Sequence, residues 1–157
     1  MNKTTSIGRS AHGQHLYDSL ENLPSSKRFT RDQLELIYAL AHAHIVQRQY
    51  DRALPIFAFL AQYGPTRRHY LYGLALSLQM LGRLDEAIGM YSLCTTLFPG
   101  SFEATQRIAQ CHVGAGRRDD ACRTLESLLR EAQTGDNLEL ERRAQGMLSL
   151  ITKRDPA

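Results

Sequence analysis

Apolar residues recur along most of this chain at intervals of three and four residues, which is the spacing of one face of an α-helix. Between residues 68 and 81 the spacing is seen at Leu71, Leu74, Ala75 and Leu78. Gly82 follows, and glycine commonly ends a helix where the chain turns into a left-handed conformation. The pattern predicts a helix over residues 68–81 and, because it recurs, an all-α chain.

The same pattern of polar and apolar residues returns every 34 residues. Aspartate recurs at Asp51, Asp85 and Asp119, and alanine recurs at Ala53, Ala87 and Ala121. Pro65 and Pro99 keep this spacing, and so do the aromatic residues Phe57 and Tyr91. Each unit predicts two helices joined by a turn, with the alanine where the helices approach closely and the proline where the second helix stops. The predicted units cover residues 34–67, 68–101 and 102–135.

The sequence before the repeats, residues 1–33, predicts one short helix. Leu16, Leu20 and Leu23 are spaced by four and three residues, so we expect an amphipathic helix over residues 14–23. Pro24 breaks this helix, and Thr30 with Gln33 matches a capping box that opens the first repeat. Residues 1–13 are polar and are expected to be mobile.

The sequence after the repeats, residues 136–157, predicts a capping helix and a tail. A break at Gly135 is followed by an apolar face at Leu138, Leu140, Ala144, Met147, Leu148 and Ile151. A solenoid needs such a cap because an open terminal repeat exposes its apolar face. Two places fit the pattern less well. Pro55 is expected to kink its helix, and Gly114 and Gly116 are expected to loosen the third unit.

A 34-residue helical pair with alanine, aromatic and proline at these offsets resembles the tetratricopeptide repeat. The resemblance covers residues 34–135. It implies a short superhelical solenoid of three tetratricopeptide repeats with an N-terminal helix and a C-terminal capping helix. In such a solenoid the first helix of each pair lines the concave side.

The repeat also indicates which side chains face that concave side. At 100° per residue, positions 2, 5, 9 and 12 of each first helix lie away from the face that packs on the second helix. These positions hold Glu35, Tyr38, His42 and Ile45, then His69, Tyr72, Leu76 and Gln79, with Met80 beside them, then Glu103, Gln106, Gln110 and Val113. Aromatic, aliphatic and methionine side chains suit an extended peptide with apolar anchors. The alternative is that Tyr38, Tyr72 and Met80 pack against the N-terminal segment or a second copy.

Composition and charge narrow the class of protein. The 157 residues are 43% hydrophobic and 22% charged, as expected of one globular domain. No apolar run is long enough to cross a bilayer, and the N-terminus lacks the apolar stretch of a secretory signal. The three cysteines are spaced neither for a disulfide framework nor for a zinc ribbon, which favours a reducing compartment.

The net charge of +3 does not indicate a nucleic-acid binder. Of the 19 basic residues, 16 are arginine, and they are interspersed with acidic residues rather than gathered in one arm. Arg67, Arg68 and His69 match either a solvated loop between repeats or a site for an acidic partner.

The sequence offers no catalytic or metal-binding constellation. His42 and His44 are two apart, so on a helix they point to nearly opposite sides, and the adjacent Cys111 and His112 fail the same test. Phosphate-binding loops, nucleophile elbows and His-Glu-x-x-His patterns are missing. We therefore expect neither an enzyme nor a cofactor.

The organisation is similar to that of the class II chaperones of bacterial type III secretion. The residues that carry this resemblance lie in 34–41, 49–53, 72–75 and 81–92, and the match extends over residues 34–129. The resemblance implies a cytoplasmic chaperone without membrane or nucleic-acid partners. Its concave groove would hold an extended, proline- and leucine-containing segment of a hydrophobic translocator protein before export.

The same resemblance implies residue roles. Tyr63 joins Tyr38, His42, Ile45, Tyr72 and Leu76 as a groove residue. Homodimers through the N-terminal region are common in the family, which implies a role for Leu16, Tyr17 and Leu20 in self-association. Two other classes stay open: a general repeat adaptor that recognises a C-terminal carboxylate, and a nucleic-acid-associated regulator, which is suggested only by the basic isoelectric point.

Overall fold

The computed structural model describes residues 8–153, and within that range it contains α-helices and one 3-10 turn but no strand. The turn spans Pro24–Lys27. The helices are α1 (Ala11–Glu21), α2 (Arg31–Val46), α3 (Tyr50–Tyr63), α4 (Arg68–Met80), α5 (Leu84–Leu97), α6 (Phe102–Gly114), α7 (Arg118–Thr134) and α8 (Leu138–Thr152). From α2 to α8, each helix packs against the next in the chain. This is the stacked arrangement that the repeat predicts.

The turns between helices follow the period of the sequence. The chain adopts a left-handed conformation at Arg48, Gly82 and Gly116, with φ of 58°, 77° and 75°. These residues are 34 apart and each lies between the two helices of a pair. Because Gly116 lies in a turn and Gly114 is the last residue of α6, neither interrupts the interior of a helix. Pro55 lies inside α3, which continues to Tyr63.

The core repeats with the same period. Ala53, Ala87 and Ala121 are completely buried, and so are the larger residues four positions later, Phe57, Tyr91 and Leu125. The small residue lets two helices approach, and the larger one fills the space beside it, which suits the close packing of protein interiors. The core extends continuously along the stack in three neighbouring clusters.

The predicted N-terminal helix is present with different bounds. It begins at Ala11 rather than Gln14, because the Ser10 hydroxyl accepts a hydrogen bond from the Gly13 N–H at 3.1 Å and caps the first turn. It ends at Glu21, which leaves Leu23 outside and 41% exposed. Residues 11–13, which were expected to be mobile, belong to this helix, and residues 1–7 of the expected mobile segment lie outside the described residues.

Two further boundary predictions can be compared with the structure. The capping box is confirmed, since Thr30 Oγ1 accepts from the Gln33 N–H at 3.2 Å and Gln33 Oε1 accepts from the Thr30 N–H at 2.9 Å. The assignment of Leu138 to the apolar face of the last helix is wrong. Leu138 is the first residue of α8 and is 66% exposed, while Leu140 and Leu148 pack into the core. The expected C-terminal tail beyond residue 153 lies outside the described residues.

Helix α1 packs against α5, which belongs to the second repeat, rather than against the neighbouring α2. Leu16, Tyr17 and Leu20 contact the core cluster that contains α5. Arg9 donates a hydrogen bond to the Leu97 carbonyl at the end of α5, and its guanidinium lies 3.8 Å from the centroid of the Tyr17 ring. The N-terminal segment is thus fixed to the back of the second repeat.

Candidate functional site

The first helices of the three pairs enclose a groove of about 380 Å³. Its lining comes from α2, α4 and α6, with one residue from α3: Tyr38, His42, Ile45, Phe57, Arg68, His69, Tyr72, Gly73, Leu76 and Glu103. We call these ten residues the groove. The first helix of each repeat therefore supplies the wall, as the repeat positions predict.

The floor of the groove depends on a glycine. A Cβ atom placed on Gly73 would lie 2.1 Å from Cε1 of Phe57, so no other residue fits there without displacing the ring. The Phe57 side chain is otherwise buried in the core, with 1% of its surface exposed. Gly73 thus lets the core aromatic ring form the apolar floor between α2 and α4.

The aromatic wall on α2 is held by its neighbours. The Tyr38 ring packs edge-on against His69 at 4.7 Å and against Phe57 at 6.0 Å between centroids, in the geometry that aromatic pairs prefer. Burial, and secondly the charge of Glu35, raise the pKa of the Tyr38 phenol. Tyr38 therefore contributes a neutral, preorganised ring.

A carboxylate fixes the entrance beside Tyr38. Glu35 Oε1 accepts a hydrogen bond from the Tyr70 hydroxyl at 2.8 Å and lies 2.7 Å from His69 Nε2. Burial tends to raise the pKa of Glu35, but the hydrogen bonds from Tyr70 and His69 and the nearby positive charges lower it overall. The carboxylate stays ionised and holds two ring-bearing side chains of α4 against α2.

A second polar group fixes Tyr72 where α4 meets α6. The Tyr72 hydroxyl donates to Glu103 Oε1 at 2.7 Å and accepts from Arg107 Nε at 3.2 Å. Burial, together with the hydrogen bond to Glu103, raises the pKa of Tyr72 to about 12. The ring edge packs against Tyr91 at 5.5 Å. Tyr72 is thus held by hydrogen bonds and Tyr38 by ring packing, and both side chains line the groove.

The structure brings together half of the residues predicted for the concave surface. Tyr38, His42, Ile45, Tyr72 and Leu76 all line the groove. His69 and Glu103, which the repeat positions also placed there, line it as well. Sequence reasoning missed Phe57, Arg68 and Gly73 as groove residues. A glycine in the middle of an apolar helix was the available signal for Gly73.

The remaining predicted residues lie elsewhere. Tyr63 packs its ring against Phe29 and Phe59 at the end of α3, away from the groove. Gln79 accepts a hydrogen bond from the Tyr91 hydroxyl at 2.8 Å, and Met80 is 49% exposed outside the groove lining.

The third repeat uses its predicted positions differently. Gln106 is 8% exposed and lines a separate cavity between α6 and α8, together with Leu140 and Arg143. Gln110 is exposed and lines neither cavity. Within the described range, 8–153, no group of three or more histidine, cysteine, aspartate or glutamate residues is placed to hold a metal ion.

The structure also locates the basic residues at the start of α4 and two of the three cysteines. Arg68 and His69 form the first turn of α4 and face the groove rather than a solvated loop. Cys94 and Cys111 are buried, and burial raises the pKa of the Cys94 thiol to about 11, so that it packs as a small neutral group. None of the helices in residues 8–153 is long and apolar enough to span a membrane.

Comparison with known proteins identifies the repeat. Two tetratricopeptide-repeat family models match the chain, one over residues 38–102 and the other over residues 78–139. No curated protein matches the sequence.

The fold is similar to several solved structures. PcrH of Pseudomonas aeruginosa, bound to the chaperone binding region of PopD, is 27% identical with a TM-score of 0.71, and the match covers 81% of this chain and 96% of PcrH. The Yersinia enterocolitica type III secretion chaperone SycD, bound to a peptide of the translocator YopD, is 23% identical with a TM-score of 0.70, covering 82% and 98%.

A more distant structure shares the fold alone. The TPR2B domain of yeast Sti1 is 15% identical with a TM-score of 0.66, and the match covers 78% of this chain and 98% of that domain. The repeats, the groove and these similarities confirm the predicted all-α solenoid. This chain belongs to the tetratricopeptide-repeat family, and its solved structural neighbours include the translocator chaperones of type III secretion.

Proposed function

We propose that this chain is a type III secretion chaperone that holds an extended apolar segment of a translocator protein in the groove. The observation that carries the proposal is the preformed apolar floor and wall made by Phe57, Tyr38 and Leu76. Binding sites that are already ordered lose less entropy when a flexible segment binds. PcrH and SycD, which have this fold, are bound to translocator segments in their structures.

The mechanism is binding without chemistry. A chaperone that occupies apolar segments of its client lowers the concentration of free segment by mass action, which limits aggregation and premature membrane insertion. The polar groups around the groove support this mechanism because Glu35 is paired with His69 and Glu103 with Tyr72. They order the walls, and the apolar surface supplies the affinity. The client would be held in the bacterial cytoplasm until the secretion machine takes it.

The alternative function, a general repeat adaptor that recognises a C-terminal carboxylate, is supported by one arginine in the groove. Arg68 lines the groove, where its guanidinium is available to pair with a terminal carboxylate. A general tetratricopeptide-repeat adaptor would depend on that carboxylate, whereas a translocator chaperone would accept an internal segment.

The test is a fluorescence anisotropy titration with labelled peptides containing Pro-x-Leu-x-x-Pro. One peptide ends in an amide and the other in a free carboxylate. We expect micromolar binding of both by the wild type. Leu76→Gln should weaken binding by about tenfold, because a polar amide replaces an apolar wall, which corresponds to about 1.4 kcal/mol.

The matched control is Gln110→Ala, since Gln110 occupies the equivalent position one repeat later and lies outside the groove. Its affinity should stay within about twofold of the wild type, a change well below 1 kcal/mol. Binding that requires the free carboxylate would favour the adaptor. Equal losses in both variants, or no binding by well-folded wild type, would remove the groove from the proposal.

A further inference from the structure

The third repeat places a nearly buried amide in a cavity of its own. Gln106 follows Tyr38 and Tyr72 at the 34-residue spacing of the repeat. Its exposed fraction is 8%, and it lines the cavity of about 380 Å³ between α6 and α8. Within residues 8–153 its side-chain amide has no hydrogen-bond partner. An amide that is removed from most water without a partner costs free energy, so a ligand that pairs with it would gain affinity.

The amide of Gln106 is open to the cavity. In the part of the chain that the structure describes, every fully enclosed side-chain nitrogen or oxygen has a hydrogen-bond partner, so the unpaired amide is not among the enclosed groups. The neighbouring Asn137 does not supply the missing acceptor, because its side-chain oxygen accepts from the Leu140 N–H at 3.1 Å. An amide offers two donor hydrogens and one acceptor oxygen. It is therefore best satisfied by a group that both donates and accepts.

The cavity continues the groove along the concave side of the stack. Glu103 lines both of them, and the Tyr72 hydroxyl donates to Glu103 at 2.7 Å. Packed helices lie about 8–10 Å apart, and an extended peptide advances about 3.3 Å per residue. A segment with an apolar anchor against Tyr72 would therefore bring a residue to Gln106 about three positions further along.

Charge around the cavity favours a neutral residue there. Glu103 and Glu139 line it with two carboxylates, Arg143 lines it with one guanidinium, and Arg107 interacts with Glu103. Two positive charges thus balance two negative ones, so the cavity selects for neither an acidic nor a basic side chain. Asparagine and glutamine are neutral and both donate and accept hydrogen bonds, whereas leucine would leave the Gln106 amide unpaired.

We propose that Gln106 determines specificity by selecting client segments that carry asparagine or glutamine three residues beyond an apolar anchor. This specificity rests on the proposed function and adds a polar position to an apolar site. A site built to form hydrogen bonds discriminates against a ligand that lacks them, because the buried polar group of the site is then left unpaired. The tyrosines at the equivalent positions of the first two repeats place aromatic rings there instead.

Fluorescence anisotropy with four extended peptides tests the proposal. Each peptide contains Pro-x-Leu-x-x-Pro and is blocked at both ends, which removes terminal charges that could pair with Arg143. Two glycines followed by either asparagine or leucine are added beyond one terminal proline or beyond the other. At one of the two ends, the wild type should bind the asparagine peptide about tenfold more tightly than the leucine peptide.

The variant Gln106→Met identifies the residue that is responsible. Methionine is similar in length to glutamine but has no amide, so the two peptides should bind this variant within about twofold of each other. Gln110→Met is the matched control, because Gln110 is exposed and lines neither cavity. It should keep the tenfold preference of the wild type. Circular dichroism checks that both variants are folded, and the wild-type comparison does not depend on any variant.

Two outcomes overturn the proposal. One is equal binding of the asparagine and leucine peptides by the wild type at both ends, and the other is a preference for asparagine that Gln106→Met retains. The peptide without an extension separates this proposal from the proposed function. If the wild type binds that peptide without discriminating between the extensions, only the role of Gln106 fails. If it does not bind that peptide, the proposed function fails and the role of Gln106 with it.

Discussion

The first helices of the three repeats fall into two groups that use the same repeat positions differently. The first half consists of α2 and α4, and the second half consists of α6. In the first half, Tyr38 and Tyr72 occupy equivalent positions on α2 and α4 and both line the groove. In the second half, Gln106 occupies the same position on α6 but is buried beside α8. The repeat determines the direction of a side chain, and the neighbouring helix determines how much of that side chain is available to a ligand.

The halves also differ in how their polar groups are used. In the first half, Glu35 holds His69 and Tyr70 so that the apolar faces of the groove stay ordered. At the junction, Glu103 and Arg107 of the second half hold Tyr72 of the first. In the proposed function the apolar half would supply the contact surface for a peptide, and the polar half supplies hydrogen bonds that order part of that surface.

The largest effect is expected from closing the floor of the apolar half. Gly73→Ala places a methyl group 2.1 Å from Phe57 Cε1, which must move. We expect the free energy of unfolding, measured by urea denaturation, to fall by about 2 kcal/mol, as is usual when a packed core is overfilled. Peptide affinity should fall as well, because the displaced ring no longer forms the floor.

The control for that substitution is another helical glycine. A Cβ on Gly89 of α5 would meet no atom within 4 Å. Gly89→Ala should therefore raise the free energy of unfolding by about 0.5–1 kcal/mol, the usual gain from replacing glycine within a helix. If Gly73→Ala is as stable as Gly89→Ala, Phe57 is not confined as the structure indicates.

The next largest effect on stability is expected at the junction between α4 and α6, where Tyr72 is hydrogen-bonded. Tyr72→Phe removes the hydrogen bonds to Glu103 and Arg107 and should lower the free energy of unfolding by about 1 kcal/mol at neutral pH. The ordinary pKa of tyrosine is 10.0, and in the folded chain that of Tyr72 is raised to about 12. The Tyr72 phenol therefore ionises first in the unfolded chain, so the stability that it contributes is present below pH 10 and is lost as the pH rises toward 12.

Urea denaturation between pH 10 and pH 12 measures this difference. The wild type should lose stability more steeply than Tyr72→Phe, by no more than about 1.4 kcal/mol per pH unit, because the variant lacks one of the ionising groups. The difference between the two proteins should narrow with rising pH. Parallel curves would show that the pKa of Tyr72 is not raised in the folded chain.

The smallest effect is expected at the entrance of the apolar half. Glu35 and His69 are 38% and 40% exposed, so solvent screens their interaction. Glu35→Gln should lower the free energy of unfolding by only about 0.5 kcal/mol at neutral pH. Because the folded pKa of Glu35 is lowered from 4.5, this contribution is present above that pH and is lost as the pH falls below it.

Chemical denaturation at neutral pH and at about pH 3 checks this prediction, since ordinary glutamates titrate between these values. The gap between wild type and Glu35→Gln should close at the acidic value. A gap that persists there would mean that Glu35 acts through packing rather than through its charge.

Helix periodicity accounts for what the sequence could predict of the groove. Tyr38, His42 and Ile45 share one face of α2, and Tyr72 and Leu76 share the equivalent face of α4, so their meeting follows from spacing alone. Phe57 could not be placed from its own spacing, because it lies on the buried face of α3. The missing side chain at Gly73 leaves the space that its ring fills beneath the groove.

Contacts between elements that lie apart in the chain explain why the structure places Tyr63, Leu16 and Leu20 differently from the sequence prediction. Tyr63 was placed by resemblance, but the chain after Pro24 brings Phe29 against it. The spacing of Leu16 and Leu20 predicted an apolar helix face but not its partner. That partner is α5, about 70 residues later in the chain, and the close contact of Gly13 with the Thr96 carbonyl helps to select it.

The docking of α1 on α5 changes the topology of unfolding. Both ends of the first repeat are attached to the second repeat, one through the direct connection to α4 and the other through α1. If α2 and α3 unfold alone, they become a closed loop rather than a free chain end, and a closed loop gains less conformational entropy. The repeat that contributes four of the ten groove residues is therefore protected from local fraying by a helix that does not line the groove.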